Sequence, residues 1–160
     1  MSYTPAERSA LIARYRAGSA VFADVVAGAT DQELDARPFP GEWTVREITH
    51  HLADGELSSA IRLRRLVAEE APAITGYDEG LYARRLHYGE RPIASSLAVI
   101  EASRESTATI LDRLADEEWA RTGTHSEMGE YGVETWLRVY AEHPYDHAAQ
   151  ARAVLAAVRG

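Results

Sequence analysis

Apolar residues recur at steps of three and four positions in four long segments of the chain, which cover about 5–26, 45–70, 93–114 and 134–158. This spacing places the apolar side chains on one face of an α-helix, where they can pack against other helices. No segment keeps the alternation of apolar and polar residues that is typical of strands. The pattern therefore predicts an all-α protein built from four long amphipathic helices.

Helix starts are marked by three capping boxes, in which a Thr is followed three residues later by a Glu that can bond back to the helix start. The boxes begin at Thr4, Thr30 and Thr44. The first and third open the first two long helices, and the second predicts a short helical turn over 31–36.

Two long connections separate the later helices. Residues 72–92 are mainly a predicted loop with a short helix around 79–86, and residues 119–133 are rich in Gly. Connections of this length suit crossovers better than a simple up-and-down order of helices. We therefore expect residues 1–160 to form one domain, a four-helix bundle with long crossover connections.

Charge and composition exclude several classes of function. The chain carries 25 acidic against 17 basic residues, for a net charge of −8, which disfavours nucleic acids and anionic membranes as partners. No apolar stretch is long enough for a transmembrane helix, and the N-terminal residues lack the apolar core of a signal peptide, so a cytoplasmic location is expected. The absence of Cys excludes disulfides, thiolate metal sites and cysteine nucleophiles.

Histidines are therefore the candidate reactive residues. His143 and His147 are four positions apart, so a helix places both rings on one face, where they can share a metal ion or act as hydrogen-bonded pocket residues. His51 lies on the apolar side of the second long helix, whereas His50 is rotated by about 100° and is expected to face outward. A third imidazole from a facing helix would complete a three-ligand site with open positions, although His51 taken alone is better explained as a satisfied polar residue near a helix start.

Pro144 lies between the two C-terminal histidines. Proline has no N–H for the helical ladder, so a kink or a new helical segment is expected there. Such a bend is compatible with an inward-facing site, but it can also displace His143.

Three segments together resemble the signature of the DinB/YfiT-like superfamily. Residues 43–56 resemble its W-S-x-x-E-x-x-x-H-L-x-D-x-E pattern, with Thr44 in place of the Ser, and residues 140–150 resemble its closing H-x-x-x-H-x-x-Q. Residues 125–129 resemble a recurrent H-P-E-x-G that precedes the last helix. The resemblance runs in order over about 7–158, which is nearly the whole chain.

The resemblance implies a four-helix bundle in which three histidines bind a divalent metal, usually zinc or nickel. It assigns the ligands to His51, His143 and His147. Characterised members include transferases and isomerases that use low-molecular-weight thiols such as mycothiol or bacillithiol, many others are regarded as metal-dependent hydrolases, and members are often homodimers. We therefore expect a metal-dependent thiol transferase or hydrolase acting on a small molecule. The alternative is a non-enzymatic metal-binding or stress-response bundle.

Several further polar residues lie close to the three histidines in sequence or in motif. Each can orient a ligand or can equally be a polar residue of the helix surface; those singled out as possible pocket residues are Asp54, His125, Asp146 and Gln150.

A basic cluster on the second long helix also has two interpretations. Arg62, Arg64 and Arg65 can form a solvated face paired with Glu69 and Glu70 at helical spacing, or they can meet the carboxylates of a thiol cosubstrate.

Overall fold

Four long α-helices, two short α-helices, a 3-10 helix (Asp116–Ala120) and a small sheet make up the structure, a computed structural model that describes residues 3–160. The elements are α1 (Pro5–Val26), α2 (Asp31–Asp35), α3 (Val45–Ala68), β1 (Ala73–Ile74), α4 (Glu79–Arg85), α5 (Ala94–Leu111), β2 (Thr122–His125), β3 (Gly129–Gly132) and α6 (Val133–Arg159). The predicted four-helix bundle is therefore confirmed.

The long helices are not arranged in the order of the sequence. Helix α1 packs against α5 and α6, and α3 packs against the same two helices. The consecutive long helices α1 and α3 thus lie on opposite sides of the bundle. Helices α5 and α6 likewise make no extensive contact, so the connections over 27–44 and 112–132 cross the bundle. Of the two predicted linkers, only the second is therefore a crossover, because 72–92 joins the neighbouring helices α3 and α5.

All three predicted capping boxes form. The hydroxyl oxygens of Thr4, Thr30 and Thr44 each accept a hydrogen bond from the backbone N–H three residues on, at 3.3, 3.2 and 3.2 Å. The C-terminal ends were less well predicted. Helix α5 ends at Leu111 rather than at residue 114. Just after this end, the N–H of Arg113 donates to the carbonyl of Ile110, three residues back, which tightens the last turn.

The prediction that the chain lacks strands is wrong. Strand β1 pairs in parallel with β2, and β2 pairs antiparallel with β3, so the sheet joins the two long connections. Strands of two to four residues are too short to show a period in the sequence, and their partners are far apart along the chain. Gly123 permits the approach of the connections, since a Cβ there would lie 2.3 Å from the carbonyl oxygen of Pro72.

Apolar side chains from all four long helices fill the bundle in two clusters. Trp136 is fully buried and its indole N–H donates to the carbonyl of Ser59 at 2.8 Å, while Trp119 is 6 % exposed. Both tryptophans are therefore packing residues. Within residues 3–160, no helix combines the length and the apolar content that a membrane crossing requires.

Candidate metal centre

Three imidazoles meet between α3 and α6. His51 comes from the first half of α3, and His143 and His147 stand one turn apart on α6. One ring nitrogen from each of the three lies within 4.8 Å of the others, and the Nε2 atoms of His143 and His147 are 3.1 Å apart. The structure thus brings together the three histidines singled out in the sequence, which we call the imidazole cluster.

Burial keeps His51 and His143 neutral. His51 is 2 % exposed, and its burial, followed by electrostatic repulsion from His147, lowers its pKa to about 3. Burial also holds the pKa of His143 well below its usual value, with His147 and His51 adding to the shift. Neutral imidazoles offer lone pairs, which is the form that binds metals.

The hydrogen bonds of the imidazole cluster are incomplete. Gln150 Oε1 accepts from Nδ1 of His147 at 3.0 Å, which leaves the lone pair of that ring on Nε2. The Nδ1 atoms of His51 and His143 are buried and make no hydrogen bond with any residue in 3–160. Buried polar atoms without partners are costly, and the ring nitrogens that converge from the three residues can share a cation. These residues therefore fit a divalent metal.

Neighbouring residues hold the rings in place. The ring of Trp43 lies 4.6 Å from that of His51, and the ring of Tyr140 lies 5.7 Å from that of His143. A Cβ on Gly55 would lie 3.1 Å from Cε1 of His143, so the glycine leaves room for this ring.

Pro144 does not start a new segment, because α6 runs through it without interruption. Proline leaves the carbonyl of Tyr140 without its helical donor, and Nη2 of Arg104 supplies the missing bond at 2.9 Å. A Cβ on Gly18 would lie 2.3 Å from Cγ of Pro144, so Gly18 makes room for the ring. Of the two outcomes left open by the sequence, His143 stays beside His147, and tertiary contacts replace what the proline removes.

Arg104 belongs to a second buried group, which we call the Glu56–Arg104 cluster. Nη1 of Arg104 bonds Glu56, Nε donates to the carbonyl of Tyr15 at 2.7 Å, and the guanidinium stacks 3.9 Å from the Tyr15 ring. The hydroxyl of Tyr15 donates to the other carboxylate oxygen of Glu56 at 3.2 Å. Both charged side chains are fully buried, and burial raises the pKa of Glu56 while Arg104 opposes that shift.

A cavity of about 240 Å³ opens beside the imidazole cluster. His51 and His143 line one part of it, and Arg62, Tyr77 and His125 line another. The cavity is smaller than the roughly 300–1,000 Å³ of pockets for drug-sized ligands, so it suits a small molecule.

The four possible pocket residues divide into two pairs. Gln150 orients His147 and His125 lines the cavity. Asp54 instead accepts a 2.5 Å hydrogen bond from Tyr88, and Asp146 is exposed on α6; neither lines this cavity.

The prediction that His50 faces outward is wrong. His50 is 1 % exposed, and its Nε2–H donates to the carbonyl of Arg91 at 3.0 Å while Nδ1 pairs with Ser96 at 2.8 Å. The connection after α4 and the start of α5 cover this face of α3, which helical rotation alone does not reveal.

Comparison with known proteins identifies the family. A sequence profile of the DinB superfamily matches residues 14–151. The chain belongs to the DinB superfamily.

Relatives in this superfamily carry names that point to metal chemistry. A protein of Oceanobacillus iheyensis, named as a proposed metal-dependent hydrolase, is 36% identical over 119 residues, which cover 74% of this chain and 69% of that protein. YfiT of Bacillus subtilis, named in the same way, is 33% identical over 121 residues, which cover 75% of this chain and 68% of YfiT.

Solved structures share the fold. The structure of YfiT from Bacillus subtilis, described as having an unusual four-helix bundle topology, superposes with a TM-score of 0.90 at 28% identity and covers 96% of this chain and 88% of that one. A mycothiol-dependent maleylpyruvate isomerase superposes with a TM-score of 0.70 at 12% identity, covering 89% of this chain and 59% of that one, and this likeness concerns the fold alone.

Sequence reasoning missed some residues that line the cavity. Tyr77 and Tyr131 were not expected there, because one lies in a connection and the other in a strand that no periodicity marked. The solvated face predicted for the basic cluster holds for Arg65, which pairs with Glu69, but Arg62 lines the cavity instead.

Proposed function

We propose that this protein is a divalent-metal-dependent enzyme that transfers a low-molecular-weight thiol to a small electrophilic substrate. The observation that carries the proposal is the imidazole cluster beside a small cavity, with buried nitrogen atoms that no described residue satisfies. His51, His143 and His147 would hold the cation, with zinc or nickel as the expected metal. Three protein ligands leave positions open for a substrate, which is typical of catalytic sites.

A cation held there would favour the thiolate form of a bound thiol and would equally lower the pKa of a bound water to near 7. The protein's own residues supply the surroundings. Gln150 orients His147, and the aromatic rings of Trp43 and Tyr140 pack on the other two imidazoles. The chain contains no Cys, so the sulfur must come from a cosubstrate.

Hydrolysis is the second candidate, and the names of the relatives favour it. The same site serves both reactions, since they differ in whether a thiol or a water is the nucleophile. The fold itself accommodates thiol-dependent chemistry, because the mycothiol-dependent isomerase shares it.

Elemental analysis of the purified protein and of a His147→Ala variant tests the metal site. We expect close to one divalent metal per chain in the parent and a large loss in the variant. His87→Asn is the matched control, because His87 is exposed and its φ of 54° lies in a region that Asn tolerates. Equal metal content in the parent and in His147→Ala would remove His147 from the site.

The metal-loaded protein is then assayed with mycothiol, bacillithiol and glutathione together with an electrophilic acceptor, and separately with activated esters. Thiol consumption that depends on the metal supports the transferase, and ester cleavage without thiol supports the hydrolase. A bound metal with neither activity would favour the non-enzymatic alternative. A cytoplasmic location and a homodimer stay predictions.

A further inference from the structure

Arg62 places a guanidinium in the wall of the cavity, three helical turns along α3 from His51. Its Nη1 donates to the hydroxyl of Tyr140 at 2.8 Å, and its Nη2 donates to the carbonyl of Thr75 at 2.9 Å. Both partners are neutral, and within residues 3–160 no carboxylate lies within ion-pair distance of Arg62.

The contrast with Arg65 is direct. Arg65 is one turn further along α3 and pairs with Glu69 at 3.0 Å, so its charge is compensated. Arg62 is held in position by two of its five N–H donors, and its charge and remaining donors stay available to a ligand. A positioned guanidinium of this kind suits a carboxylate or another oxyanion.

His125 adds a second donor to the same cavity. Its Nδ1 accepts from the backbone N–H of Glu127 at 3.1 Å, so its proton lies on Nε2. Burial and then the charge of Arg62 lower the pKa of His125, which keeps the ring neutral. Its Nε2–H has no acceptor among the described residues and is free to donate to a ligand.

Two carboxylates limit the charge that the cavity accepts. Glu79 and Glu127 also line it, and both are exposed at its solvent side. They are screened by water but oppose a second negative charge on a ligand. The arrangement therefore favours one anionic group per ligand.

We propose that Arg62 and His125 form an anion-binding subsite beside the imidazole cluster, and that the substrate or cosubstrate is a small molecule with one carboxylate or similar oxyanion. This inference rests on the proposed function, because the subsite selects the molecule that reaches the cluster. Arg62 determines specificity and is not assigned a chemical step.

Three thiols of matched size test the preference. 3-Mercaptopropionate, 2-mercaptoethanol and cysteamine join a thiol through two carbons to a carboxylate, a hydroxyl and an ammonium group. Their binding to protein loaded with Co²⁺ is followed by visible absorption. We expect the carboxylate to bind about tenfold or more tighter than the hydroxyl, as charge-assisted hydrogen bonds predict. Arg62→Gln should abolish this preference, Arg62→Lys should keep part of it, and Arg65→Gln should leave it intact.

Propionate tests the subsite without metal or thiol. In chelator-treated protein, we expect propionate to shift the NMR signals of the Arg62 side chain and the His125 ring, and we expect the His125 shift to disappear in Arg62→Gln. Circular dichroism checks that each variant is folded.

The thiol and propionate experiments together distinguish a failure of the thiol-transfer proposal from a failure of the anion subsite. If the thiols do not bind but propionate shifts these signals, the thiol-transfer proposal is contradicted and the subsite is supported. If the thiols bind without preference, or the preference survives Arg62→Gln, or propionate shifts neither side chain, the anion subsite is overturned.

Discussion

Two buried polar clusters lie in the same bundle, and they differ in whether the protein satisfies its own polar atoms. In the Glu56–Arg104 cluster, the guanidinium bonds one carboxylate and two backbone carbonyls, and Tyr15 completes the carboxylate. In the imidazole cluster, Nδ1 of His51 and of His143 have no partner in 3–160. Helix α3 contributes to both clusters, with four residues between His51 and Glu56.

The difference separates a structural role from a binding role. A saturated cluster cannot accept a ligand without losing bonds, and it holds α1, α3, α5 and α6 together. An unsaturated cluster is a cost to the folded protein unless something else binds to it. Buried polar atoms without partners are therefore a better guide to the site than burial or charge alone.

Breaking the Glu56–Arg104 cluster should have the largest effect on stability. Glu56→Ala leaves the Arg104 charge buried and unpaired, which should lower the free energy of unfolding by about 3–5 kcal/mol. Urea unfolding of the metal-free protein measures this. Glu69→Ala is the control, because its exposed pair with Arg65 should contribute less than about 1 kcal/mol. A loss from Glu56→Ala as small as that of the control would show that the Glu56–Arg104 pair does not stabilise the bundle.

Removing a histidine of the imidazole cluster should change stability little and should weaken metal binding strongly. His51→Leu replaces an unpaired buried imidazole by an apolar side chain, so the metal-free protein should change in stability by less than about 1 kcal/mol. Metal affinity should fall by more than about 100-fold, beyond the effect expected for loss of an outer partner. Unfolding and metal titration are measured on the same preparation. A variant that unfolds as easily as Glu56→Ala but keeps its metal would reverse the assignment of the two clusters.

Removing the hydrogen bond by which Gln150 orients His147 should have an intermediate effect. Gln150→Ala takes away the acceptor for Nδ1 of His147, which should weaken metal binding by about 10–100-fold. Competition with a chromophoric chelator measures the affinity. Gln32→Ala, in the exposed helix α2, should leave it unchanged. Equal affinities for both variants would contradict the orienting role.

Acid should expose the same difference between the clusters in the metal-free protein. The pKa of His51 is lowered to about 3 by burial, whereas an unfolded chain binds that proton near pH 6.5. Below about pH 6.5 the unfolded state binds more protons than the folded state. The free energy of unfolding therefore decreases as the pH is lowered, by up to about 1.4 kcal/mol per pH unit for this one group. Unfolding at pH 7 and pH 5 should show a shallower decline in His51→Leu than in the parent. Identical pH slopes would mean that His51 is not held neutral.

Much of the fold was predictable because its causes are local. The Thr4, Thr30 and Thr44 boxes and the apolar spacing act within a few residues, and the helix starts followed them closely. The sheet was not predictable, since the pairing of Ile74 with His125 depends on two connections meeting in space.

In the site as well, local sequence and tertiary contacts determine different features, even for adjacent residues. His51 and His50 stand side by side in sequence and are buried to the same degree, yet the structure satisfies both nitrogens of His50 and leaves Nδ1 of His51 unpaired. The effect of Pro144 on the site was open, and a buried arginine from another helix supplies the hydrogen bond that the proline removes. Neither outcome is visible from the spacing of residues.

The sequence by itself determined the helices, their apolar faces and the set of histidines, because helical geometry and capping act over three or four residues. Only the tertiary structure decided which of those histidines lack partners, how α6 continues through a proline, and which arginine enters the cavity. These depend on atoms far apart in sequence, since a hydrogen bond or an ion pair is satisfied only by whatever the folded chain brings within about 3 Å.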